Sequence, residues 1–75
     1  MNTVDLAKIK KRRKEMRFNQ QEMAETLGFK NASTYCKYEK GDYKFDANHI
    51  PIVANKLKFK VSDIFFENRI SKIAN

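Results

Sequence analysis

Residues 20–41, QQEMAETLGFKNASTYCKYEKG, decide how the rest of the chain is read. Met23, Ala24 and Leu27 share one face of a helix over about Gln20–Leu27, and Gly28 follows as the residue type that most often ends a helix in left-handed backbone. Asn31 caps a second helix expected from about Ala32 to Lys40 and closed by Gly41. Within that helix Tyr35, Tyr38 and Glu39 lie on one face, while Ser33, Cys36, Lys37 and Lys40 recur at i, i+3, i+4 and i+7 on the other. The outward stripe contains no large apolar residue. Such a helix is held up for contact with something outside its own core.

Upstream, Asn19 and Glu22 have the spacing of a capping box, and Phe18 and Met23 that of a hydrophobic staple, so the first helix of the pair has a defined start. Phe29 is expected to fold back over Ala24. A preceding helix over about Val4–Arg17 places Leu6, Ile9, Arg13 and Met16 on one face, with Asp5 near its N-terminus, where the helix dipole favours an anion. Lys8, Lys10, Lys11, Arg12 and Lys14 read as a solvated basic face that is also available for binding.

Downstream, Asp46 or Asn48 can cap a fourth helix. Pro51 fits only its first turn, because deeper in a helix it would remove a hydrogen bond. Ile50, Val53, Ala54 and Leu57 repeat the i, i+3, i+4, i+7 pattern. Phe59, Val61, Ile64, Phe65 and Phe66 predict a short fifth helix that closes the core, with Lys60 or Ser62 at its start. Ile70 and Ile73 continue the spacing as a tail or a contact with a second subunit.

The whole composition agrees with one small all-α domain, core about residues 4–66 and tail 67–75. Seventy-five residues with 41% hydrophobic, 33% charged, two Gly and one Pro favour a folded helical unit and leave no room for a large internal cavity. The single Cys36 cannot form an internal disulfide and fits a reducing, cytoplasmic setting. The N-terminal MNTVDLAKIKKRRK has no apolar run, so neither a secretory leader nor a membrane span is expected. Net charge is +7, and residues 1–41 carry ten Lys or Arg against five acids. A basic chain with a helix on display makes nucleic acid the first partner to weigh.

Duplex DNA supplies the physical test, since its major groove admits one helix whose outer stripe is small or hydrogen-bonding. Lys37 can donate to guanine, Ser33 can donate or accept, and Cys36 or Ala32 can pack on a thymine methyl. Lys10, Lys11, Lys14, Lys30, Lys40 and Lys44 are the candidates for phosphate contacts, which set register without reading sequence. An enzyme would need a positioned acid, base or nucleophile, and Cys36 with His49 is the sole conceivable pair, without a third group. No cofactor, metal or small-molecule substrate is expected. His49 reads as a surface residue.

FNQQEMAETLGF, STYCKYEKG and IVANKLKFKVSDIF, in this order and spacing, resemble the Cro/CI-type helix-turn-helix domains of phage repressors and XRE-like bacterial regulators. The resemblance spans about Leu6 to Phe66 and implies a compact five-helix, lambda-repressor-like bundle whose third helix enters the major groove. It places Ala32, Ser33, Cys36 and Lys37, with Thr34 close by, toward base edges. Gln20 and Lys44 fall at phosphate-contacting positions, Gln20 also bracing the reading helix, and Arg13 and Glu39 at a partly buried ion pair. A homodimer on a near-palindromic operator, repression by occupancy, and a bacterial or phage-encoded cytoplasmic protein are what it implies further. Phe65, Phe66, Ile70 and Ile73 are the apolar positions that motivate the dimer. Three features depart from the family: the turn GFKN is one residue longer than its commonest form, Ala32 replaces a larger reading side chain, and Arg17 stands where Gly is frequent. The alternative is a protein-interaction module on the same fold, such as an antitoxin or anti-CRISPR-like adaptor.

Overall fold

Four α-helices and one 3₁₀ turn follow one another along residues 3–66, the part of the chain that the computed structural model describes. They are α1 (Leu6–Glu15), α2 (Gln20–Leu27), α3 (Ala32–Lys40), α4 (His49–Lys56) and the 3₁₀ turn Val61–Ile64. Each boundary has a local chemical cause. Asp5 accepts the Lys8 N–H at 3.0 Å and so caps α1 from outside. The helix is therefore shorter at both ends than the sequence suggests, and Arg17 beyond it takes a positive φ of 62°. The capping box at α2 is complete, with Glu22 N–H donating to Asn19 Oδ1 at 2.7 Å and Asn19 N–H donating to Glu22 Oε1 at 2.9 Å. Gly28 turns left-handed at φ 78° and lets Phe29 N–H reach back to the Ala24 carbonyl at 2.8 Å. Gly41, at φ 96°, ends α3 in the same manner.

The start of α4 is fixed by Asp46 rather than Asn48. Its Oδ1 accepts from the N–H groups of Asn48 at 2.8 Å and His49 at 3.1 Å, while Asn48 itself makes no capping bond. Pro51 is the third residue of α4 and sits in the first turn, where its missing N–H costs nothing. Lys58 ends α4 in left-handed backbone at φ 61°, and Phe59 N–H returns to the Ala54 carbonyl at 2.8 Å. A lysine here does what Gly28 and Gly41 do elsewhere.

Ile9, Met23, Ala24, Tyr35, Ile50, Val53, Ala54, Leu57 and Ile64 form the buried core, all but Ile64 from helical faces legible in the sequence. Phe18 and Phe29 pack on it half-buried. Helix α3 rests on α1 and α2, and α4 rests on α2 and the 3₁₀ turn.

The expected fifth α-helix is not there. Val61–Ile64 makes a single 3₁₀ turn, and only Ile64 of it is buried. Val61 and Phe66 remain 46% and 55% exposed, so they do not close the core. The physical reason lies in the next residues: Phe65 is extended and pairs antiparallel with Val4. Asp5 N–H donates to the Ile64 carbonyl at 2.7 Å and Phe66 N–H to the Thr3 carbonyl at 2.8 Å. Backbone groups that a longer helix would have satisfied internally are satisfied by the chain's beginning instead. Among the described residues the fold is otherwise all-helical, and no helix is long and apolar enough to cross a membrane. Ile70 and Ile73 lie outside the described residues.

Candidate nucleic-acid interface

Helix α3 is anchored by its inner face. Tyr35 is fully buried, and Glu39 receives two hydrogen bonds from the Arg13 guanidinium of α1, from Nε at 2.9 Å and from Nη2 at 3.0 Å. The third guanidinium nitrogen, Nη1, donates to the Phe18 carbonyl at 2.9 Å, so each of the three nitrogens makes a hydrogen bond. Burial pushes the Glu39 carboxyl up, but hydrogen bonding to Arg13 and its positive charge outweigh that and leave it below the ordinary carboxylate range. Hydrogen bonding to Glu39 raises Arg13 against the opposing effect of burial. Gln20 lies beside Glu39 and helps hold it charged. Burial raises the Tyr35 phenol far above its usual range, and its hydroxyl, though close to Glu39, makes no hydrogen bond of ordinary geometry.

A set of rings supports the other end of α3. Phe29 stacks on Tyr38 with centroids 4.7 Å apart, and Tyr38 also meets Tyr43 at 5.4 Å and Phe45 at 5.3 Å. His49 joins them edge-on at 5.3 Å from both Phe29 and Tyr38. Its Nδ1 accepts the Asp46 N–H at 3.1 Å, so His49 is a half-buried packing group and not the surface residue expected. No hydrogen bond joins it to Cys36 among the described residues. The Phe29 ring likewise goes to Tyr38, while its backbone makes the expected return to Ala24.

The outer stripe of α3 divides by exposure. Ser33 and Lys37 are exposed, whereas Ala32, Thr34 and Cys36 are half-buried. Asn31 Oδ1 gathers the first turn by accepting from Thr34 N–H at 3.1 Å, Ser33 Oγ at 2.8 Å and Thr34 Oγ1 at 3.2 Å. Gln21 Oε1 accepts the Ala32 N–H at 3.1 Å and ties α2 to the start of α3. At the far end the Lys37 Nζ lies 5.5 Å from the centre of the Tyr43 ring, within cation–π range.

The basic residues separate into two groups. Lys10, Lys11, Lys14, Lys30 and Lys44 are exposed and make no ion pair among the described residues, and Lys40 faces Asp42 at 3.6 Å with both side chains largely in solvent. Lys8 and Arg12 do not belong to a purely solvated face. Both sit over the Phe59 ring, at 5.4 and 5.5 Å, and Arg12 Nε donates to the Leu57 carbonyl at 2.9 Å. Arg12 thus satisfies a backbone carbonyl at the end of α4, which is where a cation is favoured. Lys10 and Lys14, four residues apart, lie on the opposite flank of α1 by helical periodicity.

Sequence reasoning placed Arg12 only on the basic face of α1 and passed over Gln21 and Tyr43. The partners of Arg12 and Gln21 stand 45 and 11 residues away in the chain, so no local spacing reveals them. Tyr43, 48% exposed in the loop after Gly41, was hidden by the absence of any periodic pattern there. Compared with protein-family models, curated proteins and solved structures, the chain matches none of them.

Proposed function

We propose that this chain is a sequence-specific double-stranded DNA-binding regulator with a lambda-repressor-like helix-turn-helix, α2 and α3 being the helical pair and α3 the helix that enters the major groove. One observation carries the reading. Helix α3 is clamped from below by the buried Arg13–Glu39 pair and Tyr35, while Ser33 and Lys37 stand exposed on its outer stripe. An element fixed on one side and small, polar and basic on the other meets the steric demand of the groove.

In this reading Ala32, Ser33, Thr34, Cys36 and Lys37 face bases, and Gln20, Lys10, Lys11, Lys14, Lys30, Lys40 and Lys44 face phosphates. The net charge of +7 adds long-range attraction to the duplex. Occupancy over a promoter suffices for repression. A homodimer places two reading helices about one DNA turn, roughly 34 Å, apart. The exposed Phe66 and Val61 are apolar surface for such a contact.

The test is selection of binding sites from random duplex DNA, followed by affinity measurement at several salt concentrations. A single enriched motif, bound with a steep loss of affinity as salt rises, is the expected result. Weak, salt-insensitive or motif-free binding would remove the DNA reading in favour of a protein-interaction module. Sedimentation of the complex on the enriched motif distinguishes one copy per site from two.

A further inference from the structure

The first turn of α3 holds a hydroxyl whose proton is already spoken for. Asn31 Oδ1 accepts the backbone N–H of Thr34 at 3.1 Å, which identifies that atom as the amide oxygen, because the amide nitrogen could not accept. Ser33 Oγ lies 2.8 Å from the same oxygen and must therefore be the donor. With its one proton directed back at Asn31, the exposed Ser33 hydroxyl turns only lone pairs outward. Lys37, four residues on and about 6 Å along the helix axis, is the reverse case. Its ammonium has three donors and no acceptor, and the Tyr43 ring at 5.5 Å holds it from the loop side.

The geometry points to a segregated base code on this helix: Ser33 accepts a hydrogen bond from the exocyclic amine of cytosine or adenine, and Lys37, steadied by Tyr43, donates to guanine nearby. In the major groove cytosine N4 and adenine N6 are the donors, whereas guanine O6 and N7 and thymine O4 only accept. A hydroxyl fixed as an acceptor rejects guanine and thymine at its position. The separation of the two side chains along the axis is under two base steps of roughly 3.4 Å, so both can act within one short motif. Tyr43 and Asn31 are positioning residues in this scheme and touch no base. The inference rests on the DNA reading of α3 and assigns its specificity.

The experiment is competition binding of the full chain to the duplex that wild type enriches from a random pool, with every base pair of that duplex substituted in turn. One position is expected to favour cytosine or adenine, and another within two steps of it guanine, each by about five- to tenfold, the worth of one hydrogen bond. Ser33→Ala should abolish the first preference and keep the guanine preference at the second position. Asn31→Gly, a tolerated cap, should broaden that position to accept guanine and thymine by freeing the hydroxyl proton. Lys37→Ala should abolish the guanine preference. Tyr43→Ala should weaken it and Tyr43→Phe restore it, which a merely structural tyrosine would not do.

A Ser33-dependent preference for guanine or thymine, or duplex binding with no change of preference in the Ser33 and Lys37 variants, overturns the code while the DNA reading stands. Equal guanine preference in Tyr43→Ala and wild type removes the role of Tyr43. Failure of wild type to bind any duplex ends the DNA reading itself, and the code with it.

Discussion

Arg13 on α1 and Glu39 on α3 meet in a two-pronged ion pair, Nε to Oε2 at 2.9 Å and Nη2 to Oε1 at 3.0 Å, with the residues only 7% and 6% exposed. The pair joins the helix that opens the chain to the helix proposed to read DNA. Two buried charges are costly to desolvate, and the cost is offset here by a hydrogen bond from each of the three guanidinium nitrogens. Its effect is to set the rotation of α3: Tyr35 turns in and Ser33 and Lys37 turn out.

Removing one partner should therefore hurt more than removing both. Glu39→Ala strands the Arg13 charge and is expected to cost about 3–5 kcal/mol of stability. The double replacement Arg13→Met with Glu39→Leu should recover most of that loss. Urea unfolding at pH 7 measures both, and a cost below about 1 kcal/mol for Glu39→Ala would mean that the pair behaves as a solvated one.

The same carboxyl predicts a pH response. Glu39 is held below its ordinary value of 4.5 in the folded chain, so the unfolded chain binds the proton more readily. Its contribution is complete above about pH 4.5 and is lost as pH falls through the lower folded value. Arg13, raised above its ordinary value, stays protonated throughout this range. Stability of wild type relative to Glu39→Gln should be largest near neutrality and shrink steadily below pH 4.5. Unfolding of the two chains at matched pH values provides the check.

The two glycines should not respond alike to substitution. Both need left-handed backbone, which costs an alanine about 1–2 kcal/mol, but only Gly41 also has a neighbour, since a Cβ there would lie 3.2 Å from Leu6 Cδ1. At Gly28 the space is open. Gly41→Ala should lower the thermal midpoint more than Gly28→Ala, and the addition of Leu6→Ala should narrow the difference.

Cationic residues of α1 and the following loops should separate by experiment into those that stabilise and those that bind. Arg12→Ala removes the hydrogen bond to the Leu57 carbonyl and the stacking on Phe59, and is expected to cost about 1–3 kcal/mol of stability with little change in the salt dependence of DNA binding. Lys44→Ala, exposed and without an ion pair among the described residues, should leave stability within about 0.5 kcal/mol. Its signature should be weaker binding to every sequence alike, with a salt slope lower by about one. Thermal unfolding and salt titrations of both variants decide the matter.

Helix bounds from α2 to α3 were legible residue by residue because their determinants are local. Asn19 with Glu22, Asn31 before Ala32, and a glycine after each helix act within four residues of one another. Eight of the nine core residues, all but Ile64, were legible too, since helical periodicity alone separates faces. The end of the chain was not. Phe59, Val61, Ile64, Phe65 and Phe66 look apolar enough for a helix, yet residues 64–66 pair with 3–5, and nothing near residue 65 announces a partner some sixty positions earlier.

The proposed reading surface shows the same division. Periodicity put Ser33 and Lys37 outward, and family resemblance paired Arg13 with Glu39. That the Ser33 proton is committed to Asn31, that Lys37 leans on Tyr43, that Gln21 holds the start of α3, and that Arg12 serves Leu57 are visible only in three dimensions. Sequence alone determined the caps, glycine turns and buried faces of α2 and α3, because those preferences depend on each residue's own backbone and nearest neighbours. Tertiary structure decided which lysines, arginines and hydroxyls remain free for a partner, because a polar side chain's availability depends on what the rest of the fold brings within hydrogen-bonding reach.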